Sequence, residues 1–317
     1  ARMQGRTSHA SADKVFNLVV YGEDHPYGRP SSGTLASVEA ITREDITSFY
    51  DRYYRPNNAV LIVVGDITPQ QLLPRLEQAL EGWTAGPIPA EAAAVPTRPT
   101  AKPMAVYLVD KPNAAQSEIR IGHPGAARSV DPDYYALQVC MTALGGQFTS
   151  RINLNLREKH GFTYGARSSI NYRRGPGPLM ASAGVFTAKT DSSLVEFLNE
   201  LRDIRGPRPL TAEETESARN AIVRGYPRRF ETADGTMGVL GDLALYGLPD
   251  SEISNFLSQV GRVMPEDVTR VAGKYVSPEH LAIVVVGDLG KIRPGIEALN
   301  LGPITVLDTD GKPVAAQ

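Results

Sequence analysis

Arg157 and Tyr164 stand seven residues apart in the segment Leu156-Arg157-Glu158-Lys159-His160-Gly161-Phe162-Thr163-Tyr164-Gly165 of this 317-residue sequence. A guanidinium and a phenol are both hydrogen-bond donors. Donors fixed around a point where negative charge develops are what a tetrahedral oxyanion requires. The same two residues also have an ordinary reading. An arginine near a helix C-terminus meets the negative end of the helix dipole, and a tyrosine that opens a strand is common β chemistry. Just ahead lies Gly145-Gly146-Gln147-Phe148, whose glycine pair makes a flexible turn.

The other chemistry-bearing residues read as structural. None of His9, His25, His123, His160 and His280 has a second histidine four positions away, so no helix face presents two imidazoles to a metal. His25 and His123 precede prolines and His160 ends a helix, which makes each a solvated or capping histidine. Cys140 is the sole cysteine, which excludes an intrachain disulfide and a Cys-rich zinc knuckle; it reads as a small apolar core residue. Glu44-Asp45 and Glu213-Glu214 fall in helix first turns, where they serve the dipole rather than form a catalytic dyad.

Composition bounds the function classes. The chain is 42% hydrophobic and 21% charged, long enough for two domains. Its 33 Lys plus Arg against 35 Asp plus Glu give a net charge of -2, which implies neither a nucleic acid nor an anionic membrane as partner. The apolar runs Ala59 to Val64 and Leu281 to Val286 are far shorter than the roughly 20 residues of a membrane-spanning helix. Nothing in the sequence assigns a compartment.

These two runs belong to an internal repeat. Arg55 to Asp66 matches Ser277 to Asp288 without a gap, Pro56 onto Pro278, an offset of 222 residues. At the same offset Ile41 to Ile46 falls on Val263 to Val268. Each copy reads as a capped helix, a proline turn and a buried strand ending at Gly-Asp. Between the copies, Thr84 to Met104 contains five prolines, the composition of an extended linker. The expected organisation is residues 1–86 as the back half of a first domain, 87–104 as linker and 105–317 as a second domain with a C-terminal tail. If the copies are true duplicates, the first begins about 120 residues before Ala1.

Within the second copy, Ala105 to Val109 reads as a strand and Ser117 to His123 as a half-buried one. Asp131-Pro132 starts a helix with Leu137, Cys140, Met141 and Leu144 on one face, stopping at Gly145-Gly146. A second helix covers Ser150 to His160 and ends at Gly161, suited to a left-handed cap. Phe162 to Tyr172 and Leu179 to Phe186 form a hairpin across residues 173–178. Leu194, Phe197, Leu198 and Leu201 mark a further helix, and Thr211 with Glu214 a capping box. This mixture predicts an α+β fold of two similar α/β-sandwich domains, with antiparallel-rich sheets packed against helices and the first domain incomplete.

Leu144 to Arg151 followed by Leu156 to Gly165 resembles the C-terminal domain of the pitrilysin/insulinase zinc metallopeptidases: a Gly-rich turn, a helix ending in Leu-Arg and a Gly-x-x-Tyr strand start, with arginine and tyrosine seven residues apart. The resemblance continues through His25-Pro26-Tyr27-Gly28-Arg29-Pro30, Gly33-Thr34, Ile41-Thr42, Phe49-Tyr50 and Tyr54-Arg55-Pro56-Asn57-Asn58. It implies that Arg157 and Tyr164 act on the substrate backbone and the developing oxyanion, and that Gly145, Gly146, Gln147 and Phe148 approach the peptide.

The family's zinc motif, His-x-x-Glu-His, is not in this sequence. The resemblance therefore implies zinc in an assembled enzyme, bound either by residues upstream of Ala1 or by a partner half or subunit, with no ligand from this chain. Gly161-Phe162-Thr163-Tyr164-Gly165-Ala166-Arg167 and the closing Asp308-Thr309-Asp310-Gly311 resemble the zinc-lacking halves of large bacterial members, which favours the partner arrangement. The rival is a catalytically inactive homologue that serves as an assembly scaffold, as in the core subunits of respiratory complexes; fold alone does not separate the two.

Overall fold

The computed structural model describes residues 8–129 and 132–314. Its centre is one mixed sheet of six strands: β1 (Ala105–Asp110), β2 (Gln116–Pro124), β3 (Thr163–Ile170), β4 (Pro178–Phe186), β5 (Ala282–Gly287) and β6 (Ile304–Leu307). The order is β3-β4-β2-β5-β1-β6. β1 pairs in parallel with β5 and β6, while β2 runs antiparallel to β4 and β5, and β3 antiparallel to β4. β5 is central and reads Ala-Ile-Val-Val-Val-Gly, because a strand covered on both faces needs apolar residues at every position rather than every second one.

Helices pack over one face: α6 (Pro132–Met141), α7 (Arg151–Asn153), α8 (Thr190–Asp203), α9 (Ala212–Gly225), α11 (Ser251–Gly261), α12 (Pro265–Tyr275) and α13 (Leu289–Ala298), while α10 (Ala233–Tyr246) packs on the short turn Tyr226–Phe230. Leu137, Cys140 and Leu144 pack with Ile119, Ile121, Phe197 and Leu201 into the main core. Thr211 and Glu214 close the capping box at the start of α9. Asp131, expected as the cap of α6, lies outside the described residues.

The other face is held by α1 (Ser8–Tyr21), whose Ala12, Val15, Phe16 and Val20 pack on Val109, Val284 and Val286. β2 is thereby not the half-buried strand expected from its alternation. Ile119 and Ile121 face the main core, and Arg120 between them is 1% exposed beneath α1. Its charge is met by Asp13 at 2.6 Å and Glu118 at 3.0 Å, with His9 Nδ1 2.8 Å from the guanidinium.

The repeat holds for its helix and turn but not for its strand. Upstream of the sheet lie α2 (Leu35–Ala40), α3 (Arg43–Tyr53), α4 (Pro69–Ala79) and α5 (Ala90–Ala93). At the 222-residue offset α3 coincides with α12, and the short turn Pro56–Asn58 with Pro278–His280. Residues 59–64, expected as a buried strand, join no strand, and Val60, Leu61 and Val63 are exposed. β5 is buried because β1 and β2 pair with it on either side, whereas residues 59–64 pair with no strand among the described residues. α2, α3 and α4 accordingly bury no side chain.

The proline-rich stretch carries the short α5 and otherwise no regular structure, and it is tied to segments on both sides of it in the sequence. Arg98 donates to the Gly125 and Pro124 carbonyls, and His25 Nε2 lies 3.0 Å from the Thr97 carbonyl. His25 also stacks on Tyr21, so it is a structural bridge rather than a solvated or capping histidine.

Candidate functional site

Three local devices assemble a groove at the open edge of the sheet, beside β3. The first is the end of α6. Beyond Met141 the chain widens into a π-helical turn, Thr142–Gly146, instead of stopping as a regular α-helix. It runs against β3 so closely that a Cβ on Gly145 would lie 2.1 Å from the Ser168 amide nitrogen and 2.4 Å from its hydroxyl. Only glycine permits that approach.

The second device is the helix carrying Arg157. α7 continues from Leu154 to Lys159 in π-helical winding, seen in the His160 amide donating to the Asn155 carbonyl at 3.1 Å. The expected helix is present, but each wide turn takes an extra residue and shifts the phase of the side chains that follow. It ends at Gly161, φ 64°, where the Gly161 amide donates to Arg157 and the Phe162 amide to Leu156. The chain then reverses directly into β3.

The third is a bulge at the start of β3, where pairing with β4 shifts between Thr163 and Ala166. The Thr163 hydroxyl donates to the Gly184 carbonyl at 2.7 Å and accepts from the Gly165 amide at 3.1 Å. Tyr164 is turned outward, 76% exposed, with its ring edge-on to Phe186.

Together these bring Arg157, Tyr164, Gly145, Gly146, Gln147 and Phe148 around one groove of about 450 Å³. The Arg157 guanidinium lies over the Phe148 ring, 4.7 Å from its centre, and its Nε reaches Glu158 at 3.2 Å. The Tyr164 hydroxyl has no hydrogen-bond partner among the described residues. Arrayed this way, a phenol and a guanidinium can donate to the carbonyl oxygens of a peptide laid along the strand edge.

Asn153 and Arg167 also line the groove, and the sequence reading assigned neither to the site. The Asn153 carboxamide donates to the Phe148 carbonyl at 2.7 Å and accepts from the Ala166 amide at 3.1 Å, tying the glycine turn to the edge strand. Arg167 lines the groove from β3 itself. Asn153 lies three residues before the Leu156–Gly165 segment and Arg167 two residues after it, where Arg167 closes the Gly-Phe-Thr-Tyr-Gly-Ala-Arg run of the resemblance.

The groove does not fit a zinc ion. Its lining contains no histidine, cysteine or carboxylate, and among the described residues no group of three or more such side chains is placed to hold a metal. The remaining polar candidates are structural. His123 is 2% exposed rather than solvated: the end of β2 is roofed by the linker, its Nδ1 donates to the Pro124 carbonyl and its Nε2 accepts from the Ser277 amide at 3.0 Å. Burial holds its pKa down to about 4. His160 ends its helix, stacked on Phe162. Burial pushes the Cys140 thiol up to about 12, as for an inert core residue. Glu214 caps α9 and also receives Arg151 at 2.5 Å, a role beyond the dipole.

Residues 40–222 match the family described as peptidase M16 inactive domain. An uncharacterized zinc protease of Mycobacterium leprae is 26% identical over 86% of this chain and 60% of its own length. A probable inactive metalloprotease of Bacillus subtilis is 24% identical over 80% of the chain and 57% of its own length. The chain thus spans about 60% of the first of these curated relatives. Among solved structures, a peptidase M16 inactive domain from Pseudomonas fluorescens superposes with a TM-score of 0.80 at 24% identity, covering 90% of this chain and 67% of that one. No helix of the described residues is long and apolar enough to cross a membrane.

Proposed function

Because this chain belongs to the peptidase M16 inactive-domain family, we propose that it is the substrate-gripping part of a zinc-dependent endopeptidase, offering Arg157 and Tyr164 to a peptide whose cleavage is carried out at a zinc site in a partner half or subunit. In this arrangement residues 105–317 are the gripping half, 87–104 the linker and 1–86 the back half of a preceding peptidase-like domain. The observation that carries the reading is the placement of Tyr164: a large aromatic residue turned out of the sheet, its hydroxyl outside the fold's own hydrogen bonds, on the same groove as Arg157. A tyrosine kept for packing would bury its ring.

The chemistry follows from the donors. Arg157 presents a planar fork able to hold a backbone carbonyl in fixed geometry. Tyr164 donates a single proton toward the oxygen on which charge accumulates as water adds to the amide carbon. Loss of one such donor typically costs about 3–4 kcal/mol of transition-state stabilisation. Gly145 and Gly146 keep the groove wall free of side chains, so that an extended backbone can lie close to it.

The test is turnover of the assembled enzyme with Tyr164→Phe and Arg157→Lys. Tyr164→Phe should lower kcat by about 10²-fold with a smaller effect on KM, and Arg157→Lys should also lower turnover. The similarity to the probable inactive metalloprotease of Bacillus subtilis favours a second reading, an assembly scaffold. A scaffold predicts near-normal turnover and altered melting temperature or partner affinity for the same variants, and that outcome would remove the gripping role.

A further inference from the structure

Arg167 has no place in the proposed oxyanion chemistry, yet it lines the same groove. It sits on the edge strand opposite Ser182 of β4, and its side chain is exposed. Among the described residues it makes no hydrogen bond, ion pair or ring contact. The contrast with its neighbours is sharp: Arg120 is met by Asp13 and Glu118, Arg151 by Glu214, Arg128 by Glu252, and Arg157 touches Glu158 and Phe148. The charged side chains lining the groove are Arg157 and Arg167, with no carboxylate among them.

We propose that Arg167 is a specificity-determining residue that selects peptides carrying an acidic side chain about two positions from the bond held at Tyr164. The inference rests on the peptide-gripping reading and adds to it a substrate class. The spacing follows from strand geometry: Tyr164 and Arg167 stand three residues apart on β3, but the bulge between Thr163 and Ala166 takes up one of these, so on a peptide advancing about 3.3 Å per residue the residue beside Arg167 is about two removed from the one beside Tyr164. The charge follows from the lining. An unneutralised guanidinium forms a forked, charge-assisted pair with a carboxylate, and a lysine or arginine brought to the same position would meet like charge. The competing account is that Arg167 merely discourages pairing between exposed sheet edges.

The experiment uses fluorescein-labelled, end-capped eight-residue peptides of Gly, Ser and Leu in which a single Glu, Gln or Lys is moved through the sequence, with binding followed by anisotropy. For the wild-type chain, the best Glu peptide should bind about tenfold more tightly than its Gln counterpart. Arg167→Gln should bring that ratio near one, and Arg167→Glu should shift the preference to Lys. Because the Arg167 side chain is exposed and makes no hydrogen bond, ion pair or ring contact among the described residues, both variants should melt with the wild type. Wild-type binding that is indifferent to Glu, Gln and Lys, or a Glu preference that survives Arg167→Gln, overturns the inference while leaving the gripping groove intact. Stronger binding of an uncapped Gln peptide through its terminal carboxylate than of the capped Glu peptide also overturns it. Absence of wild-type binding to every peptide removes the gripping reading itself, and this inference with it.

Discussion

The carboxamide of Asn153 is bonded on both sides to the backbone, donating to the Phe148 carbonyl and accepting from the Ala166 amide. One buried side chain thereby fixes the distance between the glycine turn and the edge strand, the two walls of the groove. Asn153→Ala removes both bonds and leaves two backbone groups to find new partners, at a cost of about 1–3 kcal/mol. Urea unfolding should show that loss, and hydrogen exchange should show the Ala166 amide losing protection more than amides of β5. Equal exchange at Ala166 in both proteins would mean that Asn153 does not hold the walls together.

Gly145 sets the same distance by its missing side chain. A methyl group there would lie 2.1 Å from the Ser168 nitrogen, so Gly145→Ala must push the turn from β3, at about 1–3 kcal/mol. Gly161→Ala is the informative comparison. No atom lies within 4 Å of a Cβ at Gly161, and its cost arises from its left-handed φ of 64° alone. Gly145→Ala should weaken peptide binding at the groove as well as stability, whereas a purely local loss of stability would detach the close approach from function.

Much of the groove was legible because its order is local. The left-handed cap at Gly161 makes a helix ending near Arg157 turn straight into the strand that opens with Tyr164. What was not legible depends on winding or on neighbours. Asn153 reads as an ordinary polar helix residue, because α-helical periodicity does not anticipate the π-helical turns on either side of it. Residues 59–64 and 282–287 have nearly the same apolar character, yet only the second is a strand, since burial comes from the strands beside it. The burial of His123 has the same origin: adjacency to Pro124 says nothing of a linker segment, Arg98 to Pro103, that packs over it.

His123 gives the fold a pH dependence of known sign. Its pKa falls from the ordinary 6.5 to about 4 chiefly because burial disfavours the charged ring. The unfolded chain therefore binds a proton between these values when the native chain does not, and stability is lost as pH falls through that window. Between pH 7 and pH 5 the loss from this residue is on the order of 1–2 kcal/mol. His123→Gln should be less stable than wild type at pH 7 and should lose less on acidification. Parallel stability curves for the two proteins across the window would show that another group is responsible.

The pairing of α1 with the sheet predicts a non-additive set of mutants. Arg120 is almost wholly buried and depends on Asp13 and Glu118, which are more exposed, to balance its charge. Removing both carboxylates with Asp13→Asn and Glu118→Gln leaves a buried guanidinium with the Ile119 carbonyl and His9, and should cost about 3–5 kcal/mol. Adding Arg120→Met to that pair removes the stranded charge and substitutes an apolar chain in a site already lined by α1 and β2. The triple variant should therefore be more stable than the double one despite carrying one more substitution. Urea unfolding of the three proteins decides it. A triple variant less stable than the double would mean that the aliphatic stem and remaining hydrogen bonds of Arg120, rather than charge balance, hold α1 against the sheet.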